Sequence, residues 1–231
     1  DSCIYAGIPG SRVIIKSLEG AFCLSLADGS VLWSHERTDY FGNNFQTISE
    51  DGTLFAVIDV NNSANQTDLV ILGTDDGSER GRISLLDDEG FKPALTMIDG
   101  AKAYAGAFSP DNTRFVFGIP GDLEETGESG NRFYVIDLET LSKTKIGMTG
   151  TKYRYFYGID IDPEDDSVYI AVYPLGSIYT ILCTKNGDSY EFNNHHETHS
   201  FSSPGGISML VDYFDKNECR FLSLDGRVYI F

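Results

Sequence analysis

Between residues 158 and 193 the chain reads GIDIDPEDDSVYIAVYPLGSIYTILCTKNGDSYEFN, with apolar runs of strand length parted by short polar breaks. The breaks are Asp162-Pro163-Glu164-Asp165-Asp166, Pro174-Leu175-Gly176 and Lys185-Asn186-Gly187-Asp188. Within each run the apolar positions alternate roughly with period two and favour Tyr, Ile and Val, which suit a pleated, half-buried surface. At Ile170, Ala171 and Val172 the alternation gives way to apolar residues facing both ways, as a strand covered on both faces requires. The pattern predicts an antiparallel meander of four short strands.

The same pattern recurs along the chain, marked by two landmarks. The first is an apolar residue, then Ser or Asp, then an acidic turn, then a strand. It occurs as Ile48-Ser49-Glu50-Asp51-Gly52 before TLFAVIDV, as Phe108-Ser109-Pro110-Asp111-Asn112 before RFVFGI, and as Ile161-Asp162-Pro163-Glu164-Asp165 before SVYIAV. A degenerate fourth runs from Val211-Asp212 to Asn217, before CRFLSL. The second landmark is strand, turn, strand: AFCLSL-ADGS-VLW, DLVILG-TDDGS-ERGRISL, RFYVIDL-ETLS-KTKI and SIYTILC-TKNGD-SYEF. Asp28-Gly29, Asp76-Gly77 and Asn186-Gly187 supply the positive φ of a tight hairpin. Glu139-Thr140-Leu141-Ser142 has no glycine, which predicts a longer or type I turn. NNSANQTD (61–68) and PGDLEETGESGN (120–131) read as long solvated hairpin tips, and 84–106 as a connection with room for a helical turn.

A repeat of about 50 residues carrying four strands is the signature of a β-propeller. The expected fold is therefore all-β: one β-propeller domain, or a fragment of one, spanning 1–231, built of four-stranded antiparallel blades. About five blades are expected, near 1–43, 44–105, 106–157, 158–205 and 206–231, with the ring short by one outer strand. The last blade stops at RVYIF, so pairing of 227–231 with another segment or subunit, or a longer native chain, is expected.

Charge narrows the partners. The 231 residues hold 35 acidic and 17 basic side chains, a formal charge of −18. Nucleic acid is not expected as a partner, because phosphate binding needs clustered Lys and Arg, and an anionic membrane surface is disfavoured for the same reason. No apolar run is long enough for a membrane helix, so no membrane insertion is expected. Cys3, Cys23, Cys183 and Cys219 are widely spaced within apolar runs and read as buried thiols, with a Cys3–Cys23 disulfide as the alternative in an oxidising compartment.

The densest aromatic run, Tyr153-Arg154-Tyr155-Phe156-Tyr157, falls at a blade junction. Alternate members face opposite sides, so a binding surface is expected there, either for a protein or for a stacked carbohydrate. His195, His196 and His199 fall in a strand end and inter-blade loop, while Asp160, Asp162 and Glu164 offer hard oxygens in a D-x-D-x-E spacing. These two groups are the candidate metal ligands, the acidic one for Ca2+ or another divalent ion. Asn61 and Asn65 sit in N-x-S/T sequons, the only pointer towards a secreted, extracellular location. Gly-x-Ser-x-Gly and C-x-x-C-H are missing, so neither an elbow serine nor a haem attachment is supported.

The turn segments ISEDGTLFAV, FSPDNTRFVF and IDPEDDSVYIAV resemble the S-P-D-G-x-x-hydrophobic signature of YVTN-type and WD-repeat-like propellers. LADGSVLWS looks like the D-G-x-x-x-W stretch of quinoprotein-type repeats. Gly158-Ile159-Asp160 and Gly206-Ile207-Ser208 resemble the strand starts of NHL and gluconolactonase-like propellers. Together these resemblances imply the fold across nearly the whole chain. Tyr157 and Gly205 stand where gluconolactonase-like enzymes carry an Asn, so the likeness stops short of a metal-dependent lactonase site. The expected function is a non-catalytic interaction or assembly module with a protein partner or further subunit and no cofactor. A divalent-metal lactonase or esterase-like hydrolase and a carbohydrate-binding propeller are the alternatives.

Overall fold

The computed structural model of the protein describes residues 3–8, 12–16, 20–36, 40–61, 64, 66–86, 91–93, 105–123, 129–150, 156–162, 164–172, 177–187, 189–200, 209–214, 219–223 and 228–230. The chain divides into two compact units, Asp1–Glu89 and Gly90–Phe231. Every described element is a strand, and every strand pairing is antiparallel.

In the first unit, β1 (Cys3–Ile8), β2 (Arg12–Lys16), β3 (Gly20–Ser25) and β4 (Val31–Glu36) form one four-stranded sheet in chain order. A second consists of β5 (Tyr40–Ile48), β6 (Leu54–Asn61), β7 (Gln66–Gly73) and β8 (Glu79–Ser84). Sequential neighbours pair because each connection is a hairpin, the least entropically costly way to bring two strands together. The two sheets share one core. Ile14, Cys23 and Trp33, opposite one another on β2, β3 and β4, pack with Phe55, Val57, Val70 and Leu72 of β6 and β7. Each such side chain, removed from water, contributes roughly 1.5–3 kcal/mol.

The second unit repeats the plan. β10 (Ala105–Phe108), β11 (Arg114–Leu123), β12 (Ser129–Asp137) and β13 (Lys143–Gly150) form one sheet, and β14 (Phe156–Ile161), β15 (Val168–Val172), β16 (Ser177–Asn186) and β17 (Ser189–Ser200) another. Val116, Phe133, Val135 and Ile146 of the former pack against Ile159, Ile161, Val168, Ile170 and Cys183 of the latter. Phe108 meets Phe115 edge-on, with ring centroids 4.7 Å apart. A three-stranded sheet follows, of β18 (Met209–Phe214), β19 (Cys219–Ser223) and β20 (Val228–Ile230). One short strand, β9 (Phe91–Pro93), pairs with residues 121–123 of β11, beyond the stretch of β11 that pairs with β10. It lies in the connection expected to hold a helical turn; within its described residues the backbone is extended instead.

Two six-residue turn designs recur. Between the first and second strands of a sheet, Ser49, Ser109 and Asp162 each donate their N–H to the carbonyl five residues on, at Leu54, Arg114 and Ser167. In the first two, the serine hydroxyl donates to the aspartate two residues later, at 2.7 Å for Asp51 and 2.6 Å for Asp111. That carboxylate accepts the N–H of Thr53 or Thr113. The serine oxygen in turn accepts the N–H of Leu54 or Arg114, both at 2.9 Å. Between the third and fourth strands, Ser25, Gly73 and Asp137 close on Ser30, Ser78 and Ser142 in the same five-residue reach. Gly29 and Gly77 take positive φ there, 73° and 69°, as their Asp-Gly pairs predict. Leu141 adopts φ 57° in the equivalent place without a glycine, so this turn has the length of the other two rather than a greater one. The two designs are also tied to each other. The N–H of Thr74 donates to the carbonyl of Thr53, and that of Leu138 to Thr113, each at 2.9 Å.

Three other expectations change. The 61–68 tip is shorter than expected, since Asn61 pairs with Gln66 and Thr67 and Asp68 are buried strand residues. The 120–131 tip also contracts: Pro120 pairs with Asn131 and Asp122 with Ser129. The degenerate fourth landmark is displaced, for β18 runs past Asp212 to Phe214, which lies opposite Cys219.

Candidate functional site

Two places in the first unit depart from a strand's usual economy of apolar inside and polar outside. One is the hairpin joining β3 to β4. Leu26, Val31 and Leu32 are 61 %, 59 % and 48 % exposed there. Strict alternation would bury one of two adjacent residues on β4. The ladder instead slips: Cys23 lies opposite Trp33 and Leu24 opposite Val31, leaving Leu32 as the extra residue of a β-bulge. The bulge turns both apolar side chains outward. Trp33, the next residue, goes inward and fixes the hairpin. Its Nε1–H donates to the carbonyl of Thr74 at 2.8 Å, and its ring lies over Gly77, where an added Cβ would stand 2.6 Å from it.

The other place is a row of buried charge. Asp59 on β6 and Asp68 on β7 lie directly opposite each other, with side chains 2 % and 3 % exposed. Arg82 on β8 bridges them, its Nη1 3.0 Å from Asp59 Oδ2 and 3.1 Å from Asp68 Oδ2, while Nη2 meets Glu79 at 2.8 Å. The hydrogen bonds to Glu79, Asp59 and Asp68 push the guanidinium's pKa up, so it stays charged throughout any usable pH range. From β4, His35 presents a half-buried ring to this group. Burial lowers its pKa, opposed by Glu79 and Asp59 and reinforced by Arg82, so the neutral ring is favoured. Such a group holds two carboxylates out of water at a cost offset by the shared guanidinium. Asp59 lies in the strand that TLFAVIDV predicts, Asp68 in a sheet position that the polar run 61–68 disguised, and Arg82 on the next strand, beyond the reach of a local motif.

In the second unit, a charge pair joins two sheets. Arg114 on β11 meets Asp166, in the turn between β14 and β15, and Lys185 on β16 reaches the other oxygen of that carboxylate at 2.7 Å. Burial pushes the Asp166 carboxyl up, but Arg114 and Lys185 outweigh it and leave the pKa below its ordinary value.

The sequence-derived candidates fall as follows. Tyr153, Arg154 and Tyr155 lie outside the described residues. Phe156 and Tyr157 begin β14, and their side chains are likewise outside. His195, His196 and His199 were expected partly in a loop; their backbone belongs to β17, with His196 opposite Thr180 and His199 opposite Ile178. Their side chains are outside the described set. Asp160 and Asp162 each accept a backbone N–H of their own segment, from Ile161 and Glu164, and Glu164 is exposed. Among the described residues no group of three or more His, Cys, Asp or Glu side chains could hold a metal ion. Asn61 closes β6 and accepts the N–H of Ala64; Asn65 lies outside the described residues.

Cys23 and Cys183 are free, buried thiols, and burial pushes Cys183 up to about 12. The alternative Cys3–Cys23 bridge is excluded by register. Cys3 lies opposite Lys16 and Cys23 opposite Ile14, on strands separated by β2. Two strand spacings, about 9–10 Å, exceed the ~7 Å that a disulfide spans between Cα atoms.

No family model matches the sequence, and no curated protein matches it. Solved structures similar in fold include hydrazine synthase from Kuenenia stuttgartiensis, at 11 % identity, covering 99 % of this chain and 70 % of that one, TM-score 0.62. An oligogalacturonate lyase in complex with manganese matches at 13 % identity over 96 % of this chain and 58 % of that one, TM-score 0.56. The Dos1 propeller matches at 14 % identity over 93 % and 53 %, TM-score 0.50. This chain thus spans little more than half of the latter two. At such identities the likeness is one of fold alone: the chain is an all-β protein whose four-stranded antiparallel sheets are the blades of a β-propeller.

Proposed function

We propose that the chain is a non-catalytic β-propeller module that docks a protein partner. One observation carries this reading: Leu26, Val31 and Leu32 are exposed on a single hairpin that Trp33 anchors to the neighbouring blade. Apolar side chains held outward on a rigid scaffold lose little entropy when covered, which suits a docking surface. Both turn designs around them are closed by their own hydrogen bonds, so the surface is pre-shaped. A photoreactive amino acid at position 32 tests the reading in a lysate of the source organism. A discrete adduct, missing when the same group sits at exposed Lys145, is expected. Equal and diffuse labelling at the two positions would overturn the proposal.

A further inference from the structure

The turn end of the first unit carries more than the apolar hairpin. Trp33 Nε1 and Arg12 Nη1 both donate to the carbonyl of Thr74, at 2.8 and 3.4 Å, tying the β3–β4 hairpin to the turn between β7 and β8. Thr74 is tied in turn to the β5–β6 turn, through its N–H to the Thr53 carbonyl and its hydroxyl to the Gly52 carbonyl at 2.6 Å. Three turns are thereby held side by side at one end. Their described residues bring Asp28, Glu50, Asp51, Asp75 and Asp76 to the surface, all exposed. Against these five carboxylates stand two guanidiniums, Arg12 and Arg80, and Arg80 is already engaged with Asp75 and Asp76 at 3.3 Å. The Ser30 hydroxyl and N–H hold the Asp28 carboxyl below its usual value, and those of Ser78 do the same for Asp76. The apolar hairpin therefore lies in a field of negative potential.

Two routes of contact are open to an outer strand: pairing through its backbone or docking on its side chains. The bulge at Leu32 breaks the regular spacing of N–H and C=O groups along β4, which works against strand addition. It is also the feature that presents Val31 and Leu32. From this combination, and resting on the docking role proposed above, we infer that the partner is a protein segment with an apolar anchor set among Lys or Arg residues. It lays the anchor on Leu26, Val31 and Leu32 and its cations against Asp28, Asp75 and Asp76. A second copy of this chain is a poor occupant, because like-charged turn ends repel and the whole chain carries −18.

Selection of random peptides on the purified chain tests the inference. Counter-selection uses a variant with Leu26→Ser, Val31→Ser and Leu32→Ser; the single Leu32→Ser variant serves if the triple one does not fold with an unchanged melting temperature. Peptides enriched on the parent are expected to combine net positive charge with at least one large apolar residue. Leu32→Ser should weaken them about tenfold, the scale of a lost interface anchor, and Asp75→Asn with Asp76→Asn should weaken them and flatten their salt dependence. Enriched peptides that bind through the hairpin but are neutral or acidic would overturn the basic partner and leave the docking role standing. No enrichment over the triple variant would overturn both. Oligolysine without apolar residues binding equally to parent and triple variant would reduce the site to bulk electrostatics and overturn the inference. So would a parent chain that self-associates in sedimentation and is made monomeric by Leu32→Ser.

Discussion

Leu141 occupies in its turn the position that Gly77 occupies in the corresponding turn of the second sheet, with φ of 57° against 69°. Both turns close with the same five-residue hydrogen bond, Asp137 to Ser142 and Gly73 to Ser78. For a leucine this backbone costs about 1–2 kcal/mol. Asp137 helps hold the turn, accepting the N–H of Thr140 at 2.7 Å and its hydroxyl at 2.8 Å. Leu141→Gly relieves the strain but adds about 0.5–1 kcal/mol of unfolded-chain entropy. A net gain of about 0.5–1 kcal/mol is expected, read as a higher urea midpoint at constant m-value. A loss of stability would mean that the leucine side chain does more than occupy its turn.

Gly77→Ala should behave in the opposite sense. The new methyl would meet Cδ2 and Cε3 of Trp33 at 2.6 Å, on a backbone of φ 69° that disfavours any side chain. Displacing the indole also breaks its bond to the Thr74 carbonyl. A loss of at least about 2 kcal/mol is expected, with a red-shifted emission from Trp33, the single tryptophan of the chain. Gly29→Ala, where no atom lies within 4 Å of the added methyl, should show the backbone cost alone.

Asp111 gives the protein an acid-sensitive turn. The Ser109 hydroxyl, then the N–H and hydroxyl of Thr113, lower its carboxyl from 3.8 to about 2. A folded-state value below the unfolded one means the contribution is fully present above about pH 4. It declines as pH falls, and is lost once the pH passes through about 2. Asp111→Asn should therefore flatten the fall in stability between these limits while leaving the slope above pH 5 unchanged. Equilibrium unfolding at several pH values reads this out; parallel profiles for the two proteins would refute it.

Arg114 and Asp166 link neighbouring sheets across the second unit. Side chains a quarter to a third exposed are partly desolvated, so their pairing should outlast moderate salt better than a surface pair does. A double-mutant cycle with Arg114→Met and Asp166→Asn is expected to give a coupling of about 1 kcal/mol. A coupling indistinguishable from zero would demote the pair to a solvated contact.

The strands and the Asp-Gly hairpins were legible because period two and positive φ are local properties, written within six or eight residues. What failed to read was non-local. Thr67 and Asp68 look like loop residues until Leu85 donates its N–H to the Thr67 carbonyl and Arg82 on β8, fourteen residues past Asp68, meets the Asp68 carboxylate. Val31 and Leu32 look like core, because only a one-residue slip against β3 decides that both face out. Leu141 gave no warning either, since its strain is offset by a turn that the rest of the blade imposes. Position 212 illustrates the converse error: an apolar–Asp pair matched the landmark, yet the strand continued through it to Phe214. For the aromatic run and the three clustered histidines, the side chains fall outside what the structure describes.

The bonds from Thr74 to Thr53 and from Leu138 to Thr113 give each of these blades a fixed origin from which its residues are counted. From that origin β6 and β7 run to Asn61 and Gln66, while β11 and β12 run on to Asp122 and Ser129. Length therefore varies at the far end, where nothing upstream needs to be recounted. Material spliced in between 61 and 66, or between 122 and 129, would leave every inward and outward assignment nearer the origin untouched, whether the number of added residues is odd or even. The blade is a ruler with its zero pinned, and new sequence can be written past its last graduation.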